Sequence, residues 1–222
     1  MNIVFDFGAV LFTWRPGQLL QEAFPALHHE PDQAARLAHQ IFGHPDWHDF
    51  DRGVLTMDAV IANTATRLDL PLAALGAMVR RIGAHLTPIP ASLALLGELH
   101  ARRQVGAGVT GLFFLSNMPE PYARTLQQKY EFLKWFDGGI FSADVQRIKP
   151  DPAIYQLLQD RHALVPERTL FIDDLKANVH AAQSLGWHAI HFESPLQLQA
   201  QLMRSLQPYP YPQTPFPGSA SA

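Results

Sequence analysis

The sequence predicts an α/β protein, an open parallel sheet with a helical insert after its first strand. Three observations carry that prediction. From residue 88 onward, short apolar runs of strand length alternate with single segments of helical periodicity, which implies crossover connections and parallel pairing. One further strand-like run stands alone at Asn2–Phe7. Between these two regions, from Trp14 to Thr87, there is no strand-like run, and apolar residues recur at helical spacing.

The elements follow in order. Asn2–Phe7 is β-branched and aromatic and is stopped by Gly8, as a short buried strand should be. Ala34–Phe42, Met57–Leu68 and Leu72–Leu86 read as helices, with Thr56 as N-cap of the second and Pro71 opening the third. After Pro88-Ile89-Pro90 come a helix over Ala91–Arg103, a strand over Gly111–Leu115, a helix over Pro119–Tyr130 and a short strand over Gly139–Phe141. A helix over Pro152–Ala163 has Asp151 as N-cap and Pro152 at its first position. Then follow a strand over Thr169–Ile172, a helix over Leu175–Leu185 closed by Gly186, a strand over Trp187–His191 and a helix over Pro195–Leu206. From Gln207 the chain has five prolines in 16 residues, too many to bury a core, so an extended or disordered tail is expected over 207–222.

Composition narrows the function. The 222 residues allow one large domain, or one domain with a smaller insert. With 47% hydrophobic and 17% charged residues, the chain is not predominantly disordered. Lys and Arg number 17 against 20 Asp and Glu, a formal charge of −3 that gives no footprint for nucleic acid. The absence of cysteine excludes disulfides, Cys-ligated zinc, iron–sulfur clusters and thiol catalysis. No window approaches the roughly 20 apolar residues of a membrane span. The apolar start contains Asp6 and has no basic leader. A soluble cytoplasmic protein is expected, without nucleic-acid or membrane partners, as a monomer or homodimer.

Open α/β sheets bind ligands at the carboxyl ends of their strands. Asp6 ends the first strand, Ser116-Asn117 the second, and Asp173-Asp174 the fourth, while Lys149 lies in the loop after the third. Clustered carboxylates repel unless a cation neutralises them. Oxygen ligands without His or Cys select a hard divalent ion, foremost Mg²⁺. An ion beside a lysine makes a pocket for a dianion such as phosphate, with Lys149 on the phosphoryl oxygens and Ser116 donating a hydrogen bond. Asp6 is then placed to attack phosphorus in line.

The stretches D-F-G-A-V-L (Asp6–Leu11), L-S-N (Leu115–Asn117), I-K-P-D-P-A-I-Y (Ile148–Tyr155) and F-I-D-D-L-K-A-N (Phe171–Asn178) resemble the four motifs of the haloacid dehalogenase superfamily, in order and at fitting spacing. The resemblance covers almost the whole chain to about residue 206. It implies a Rossmann-like core over 1–15 and 87–206 and a C1-type helical cap of subfamily I over 16–86. The D-F-G opening and the K-P-D-P-x-I-Y stretch are similar to a bacterial branch that includes a glucose-1-phosphate phosphatase, and the N-terminal phosphatase domain of soluble epoxide hydrolase is related. Carried over, the resemblance makes Asp6 nucleophile and metal ligand, and has Gly8 offer a backbone carbonyl to the metal. It places Ser116 and Asn117 on the phosphoryl group and gives Lys149 the task of balancing charge. Asp174 is its direct metal ligand, with Asp173 close by, an assignment the residues alone leave open. The implied substrate is a small phosphorylated metabolite, a sugar phosphate being one candidate.

One departure stands out. The superfamily's phosphatases mostly carry a second Asp two residues after the nucleophile, which protonates the leaving oxygen and then activates water. Here that position is Gly8. General acid–base help contributes about 10²–10⁴-fold, so either the enzyme is slow or another group supplies it. The insert stretch W-H-D-F-D-R-G (Trp47–Gly53) contains His48, Asp49, Asp51 and Arg52 and is the expected substrate-contacting element, with His48 and Asp49 foremost. Two rivals remain. A haloacid dehalogenase would use Asp6 on carbon, and a binding protein of the same fold would have lost turnover. Gly106–Gly111 matches G-x-G-x-x-G but follows a helix and opens a strand, so it reads as a turn. His28-His29 read as surface or packing residues. His44 and His48 lack a zinc-binding pattern, and the four tryptophans read as core or pocket wall.

Overall fold

The computed structural model describes residues 1–26 and 31–206. The expectations for His28-His29 and for the tail over 207–222 lie outside them. Five parallel strands form one sheet: β1 (Asn2–Phe5), β2 (Gly111–Ser116), β3 (Gly138–Phe141), β4 (Thr169–Asp173) and β5 (His188–His191), in the order β3-β2-β1-β4-β5. The chain builds outward from β1 to β3 on one side, then crosses to β4 on the other. The strand order therefore reverses at β1, and the crevice of such a sheet opens there.

Ten helices surround the sheet among the described residues. Five of them, α1 (Pro16–Ala23), α2 (Pro31–Phe42), α3 (Pro45–Asp51), α4 (Met57–Leu68) and α5 (Leu72–His85), lie between β1 and β2. The others are α6 (Pro90–Gln104), α7 (Glu120–Lys129), α8 (Pro152–His162), α9 (Lys176–Ser184) and α10 (Pro195–Ser205). Thr56 and Asp151 cap α4 and α8 as predicted, accepting the Ala59 and Ala153 N–H groups at 3.2 and 2.9 Å. Gly106 and Gly108 have φ of +68° and +84°, which fits the turn expected before β2.

Two helices, α1 and α3, were not foreseen. They span 8 and 7 residues, too short for a periodic apolar signal. The signals they do carry are local. Pro16 and Pro45 stand at their first positions, and the His44 ring accepts the Asp46 N–H at 3.1 Å. The first strand also ends two residues early, at Phe5. The Asp6 N–H still reaches the Ile172 carbonyl at 2.9 Å, and the chain then turns back, with Ala9 at φ +57° and the Leu11 and Phe12 N–H groups both on the Phe7 carbonyl.

The helical insert shares an apolar core with one face of the sheet: Leu20, Ile41, Trp47, Phe50 and Ile82 join Phe7, Phe12 and Tyr122 in one buried cluster. A run of edge-to-face aromatic contacts, Trp14–Phe42–Trp47–Phe50–Tyr122, crosses from insert to core with centroids 4.6–5.6 Å apart. The opposite face packs Val4, Leu115, Ile140 and Phe171 against Tyr155, Leu158 and Trp187.

Candidate active site

The predicted strand-end residues meet at the reversal point. Asp6 follows β1, and its Oδ1 accepts the Phe7 N–H at 2.7 Å and faces Lys149 Nζ at 2.9 Å. The same Nζ lies 2.6 Å from Oδ2 of Asp173, the last residue of β4. Lys149 is itself clamped. Its N–H donates to Asn117 Oδ1 at 2.8 Å, and the Asn117 amide returns a bond to its carbonyl at 3.0 Å. The lysine is buried and also lies over the Phe171 ring. Asn117, expected on the phosphoryl group, lines the pocket, and its side chain also holds Lys149. The buried Ser116 borders the pocket.

Asp173 is saturated. Besides Lys149, its Oδ1 accepts the Leu175 N–H at 2.8 Å, and the Asn178 amide bridges both oxygens at 3.0 Å. Asp174 differs. Its carboxylate accepts no hydrogen bond from another residue among those described, it borders the pocket, and its carbonyl is held by the His191 ring at 2.9 Å. Asn178, at the end of the F-I-D-D-L-K-A-N stretch, is a further member of the site, to which the motif alone gives no role.

The donor set fits a hard divalent cation. Asp6, Asp173 and Asp174 each offer an oxygen within 4.8 Å of the others. Three carboxylates and one ammonium leave a formal excess of two negative charges in a buried place, and the titration shifts report it. Burial pushes Asp6 up to about 7, with Lys149 opposing and Asp173 and Asp174 adding to the rise. Burial also raises Asp174 to about 6, with Asp173 adding and Lys149 opposing. Burial would lower Lys149, but Asp173 and Asp6 outweigh it and hold the ammonium above its usual value.

A pocket of about 550 Å³ opens over this edge. Its floor is the strand-end constellation with Gly8. Its roof comes from the insert: Trp14, Phe42 and, on α3 and just after it, Trp47, His48, Asp51 and Arg52. The roof residues 47, 48, 51 and 52 are one helix turn apart in pairs and so share a face. Asp49 lies off that face, does not line the pocket, and binds Arg52 at 2.8 Å, half exposed. Of the two foremost insert candidates, the structure brings His48 to the pocket and leaves Asp49 outside. Asp51 joins instead, and burial raises its carboxyl to about 8 against Arg52, with Asp6 adding to the rise and Lys149 opposing it. Beside Asp6, a Cβ on Gly8 would meet no heavy atom within 4 Å.

Known proteins resemble this chain in sequence and in fold. The model of the haloacid dehalogenase-like hydrolase family matches residues 3–186. A sesquiterpene phosphatase from Aspergillus oryzae is 28% identical over 193 residues, 87% of this chain and 90% of the relative. A phosphoglycolate phosphatase from Salmonella typhimurium is 33% identical over 91 residues, 41% of this chain and 34% of the relative. Among solved structures, a haloacid dehalogenase-family enzyme of Bacteroides thetaiotaomicron, in complex with magnesium and inorganic phosphate, superposes with a TM-score of 0.64 at 16% identity, over 86% of this chain and 93% of that one.

Proposed function

This chain belongs to the haloacid dehalogenase-like hydrolases, and we propose that it is a Mg²⁺-dependent phosphomonoesterase whose nucleophile is Asp6. The observation that carries the reading is the convergence of Asp6, Asp173 and Asp174 around Lys149, with two negative charges in excess. A divalent cation bound there would supply the missing positive charge and favour a phosphate dianion beside it. Asp6, Asp174 and the Gly8 carbonyl are the residues to hold it.

The chain's own residues do the rest. Phe7 N–H and Lys149 fix Oδ1 of Asp6. Among the described residues Oδ2 accepts no hydrogen bond, which leaves it free to attack phosphorus and form an aspartyl-phosphate. Asp173 holds Lys149, and Asn117 and Asn178 hold these two in turn. Ser116 is placed to donate to a phosphoryl oxygen. The insert roofs the site.

The substrate is a small phosphorylated metabolite. We favour an apolar alcohol over a sugar, because Trp14, Phe42, Trp47, Ile82 and Leu86 give the pocket an apolar wall beside the polar groups of His48, Asp51 and Arg52. The similarity to a sesquiterpene phosphatase over most of both chains supports that preference.

Hydrolysis of p-nitrophenyl phosphate, an alkyl phosphate and a hexose phosphate, with Mg²⁺ and with EDTA, tests the reading. Mg²⁺-dependent turnover, fastest on the apolar esters and lost by more than about 10³-fold in Asp6→Asn, is the expected result. Chloride release from 2-chloropropionate in EDTA, without phosphate release from any ester, would replace it with the dehalogenase reading.

A further inference from the structure

An ester of an ordinary alcohol leaves as an alkoxide, which needs a proton as the P–O bond breaks. The strand-end loop offers none, because the residue two after Asp6 is glycine. Few other groups in the pocket can hold and release one. Lys149 is held between two carboxylates. The Tyr122 hydroxyl already donates to the Val79 carbonyl at 2.8 Å, and burial and Asp51 push its pKa well above the usual value. Burial and Arg52 lower His48, which disfavours the protonated ring an acid would need. Asp174 lies in the cation set.

Asp151 also borders the pocket, but it is exposed and its carboxylate is used in capping α8. That leaves Asp51, which is held in place by more than the helix. Asp51 is the last residue of α3, and its carbonyl accepts the hydroxyl of the buried Ser142 at 2.5 Å. Ser142, just after β3, also accepts the Met118 N–H at 2.8 Å, from the loop after β2. Two residues beyond Asp51, Gly53 has φ +72°, and a Cβ there would lie 3.0 Å from the Ala143 carbonyl. The end of α3 is thus docked on the segment that follows β3, through the Ser142 hydroxyl and the close approach of Gly53 to Ala143, and Ser142 in turn ties that segment to the loop after β2. The Asp51 carboxyl lines the pocket with Asp6 and Gly8 and accepts no hydrogen bond among the described residues.

We propose that Asp51 is the general acid and base of this enzyme, supplied by the insert in place of the strand-end loop. The inference rests on the phosphatase reading above. In the first step the Asp6 Oδ2–P bond forms, the P–O bond to the alcohol breaks, and the Asp51 proton passes to the departing oxygen. In the second, water attacks phosphorus, its proton returns to Asp51, and the Asp6–phosphorus bond breaks to release inorganic phosphate. Asp51 then begins the next cycle protonated. Its raised pKa keeps the proton in place at neutral pH, in a field set by Arg52, Asp6 and Lys149, with His48 and Tyr122 also facing the pocket.

Leaving-group dependence tests the assignment. p-Nitrophenolate departs without protonation, whereas hexanolate does not. In rapid-quench single turnovers, Asp51→Asn should slow cleavage of hexyl phosphate by about 10²–10⁴-fold while p-nitrophenolate release in the first turnover stays within about twofold of wild type. Steady-state turnover of p-nitrophenyl phosphate should then fall, and phosphorylated enzyme accumulate. Equal losses on both esters, or none on hexyl phosphate, would overturn the assignment. Asp51→Ser reads the same ratio if the Asn variant does not fold. A wild-type enzyme inactive on both esters would instead remove the phosphatase reading, and this inference with it.

Discussion

The floor and the roof of the pocket are built in opposite ways. On the floor a bonded network holds the charges and leaves Asp6 Oδ2 and the Asp174 carboxylate open among the described residues. Lys149 pairs with Asp6 and Asp173, Asp173 also takes the Leu175 N–H and the Asn178 amide, and Asn117 clamps the lysine backbone. On the roof, the His48 ring and the Asp51 carboxyl have no hydrogen-bond partner among the described residues, although both face the same space. A bonded network in a low-dielectric site fixes charges in advance of the reaction. Unengaged groups are free to meet a substrate or pass a proton. The floor fixes the nucleophile in a bonded frame, and the roof brings polar groups that nothing holds among the described residues.

Breaking that frame should have the largest effect. Lys149→Ala would leave Asp6 and Asp173 buried without their counter-ion, at a cost of about 3–5 kcal/mol in the absence of metal. Urea denaturation measures this, and a loss under about 1 kcal/mol would mean that the floor is not electrostatically built.

A pH-linked difference comes next. A carboxyl whose pKa rises on folding binds its proton more tightly in the native state, so stability falls as pH climbs from the unfolded value, 3.8, through about 8. Asp51 should contribute such a decline. In urea midpoints taken from pH 4 to 9, Asp51→Asn should match wild type at the acid end and pull ahead as pH rises. Parallel curves would show that the Asp51 carboxyl is not desolvated.

The joint between roof and floor is tested by Gly53→Ala. A side chain at φ +72°, 3.0 Å from a backbone carbonyl, should destabilise by about 1–3 kcal/mol, and an unchanged melting temperature would mean that the docking is loose. The smallest effects separate the faces of α3. His48→Ala should raise KM several-fold, by about 1 kcal/mol of lost contact. Asp49→Ala should leave kcat and KM within about twofold, because its exposed pair with Arg52 contributes little.

The same contrast explains what could be read in advance. Asp6, Ser116, Lys149, Asp173 and Asp174 follow apolar runs that must be strands, and a parallel sheet gathers strand ends on one edge whatever the rest of the chain does. The choice between Asp173 and Asp174 was hidden because it depends on which carboxylate the Leu175 N–H and Asn178 amide consume. The roof was hidden for a different reason. Asp49 and Asp51 are chemically identical in the sequence, and only the phase of a seven-residue helix turns one away and the other in. His44-Pro45-Asp46 marks the start of that helix, and with its start known, the face carrying residues 47, 48, 51 and 52 could have been counted out. The docking of its far end on Ser142 and Ala143 joins positions about 90 residues apart in the chain, and no local pattern encodes it.

Between the two steps the phosphoryl group rests on Asp6 in this mechanism. Acid-quenched enzyme from turnover of p-nitrophenyl phosphate, reduced with borohydride and mapped by mass spectrometry, should carry homoserine at position 6, the product of reducing an aspartyl-phosphate. Turnover that proceeds with Asp6 unmodified, or with the reducible phosphoryl adduct on another residue, would contradict it.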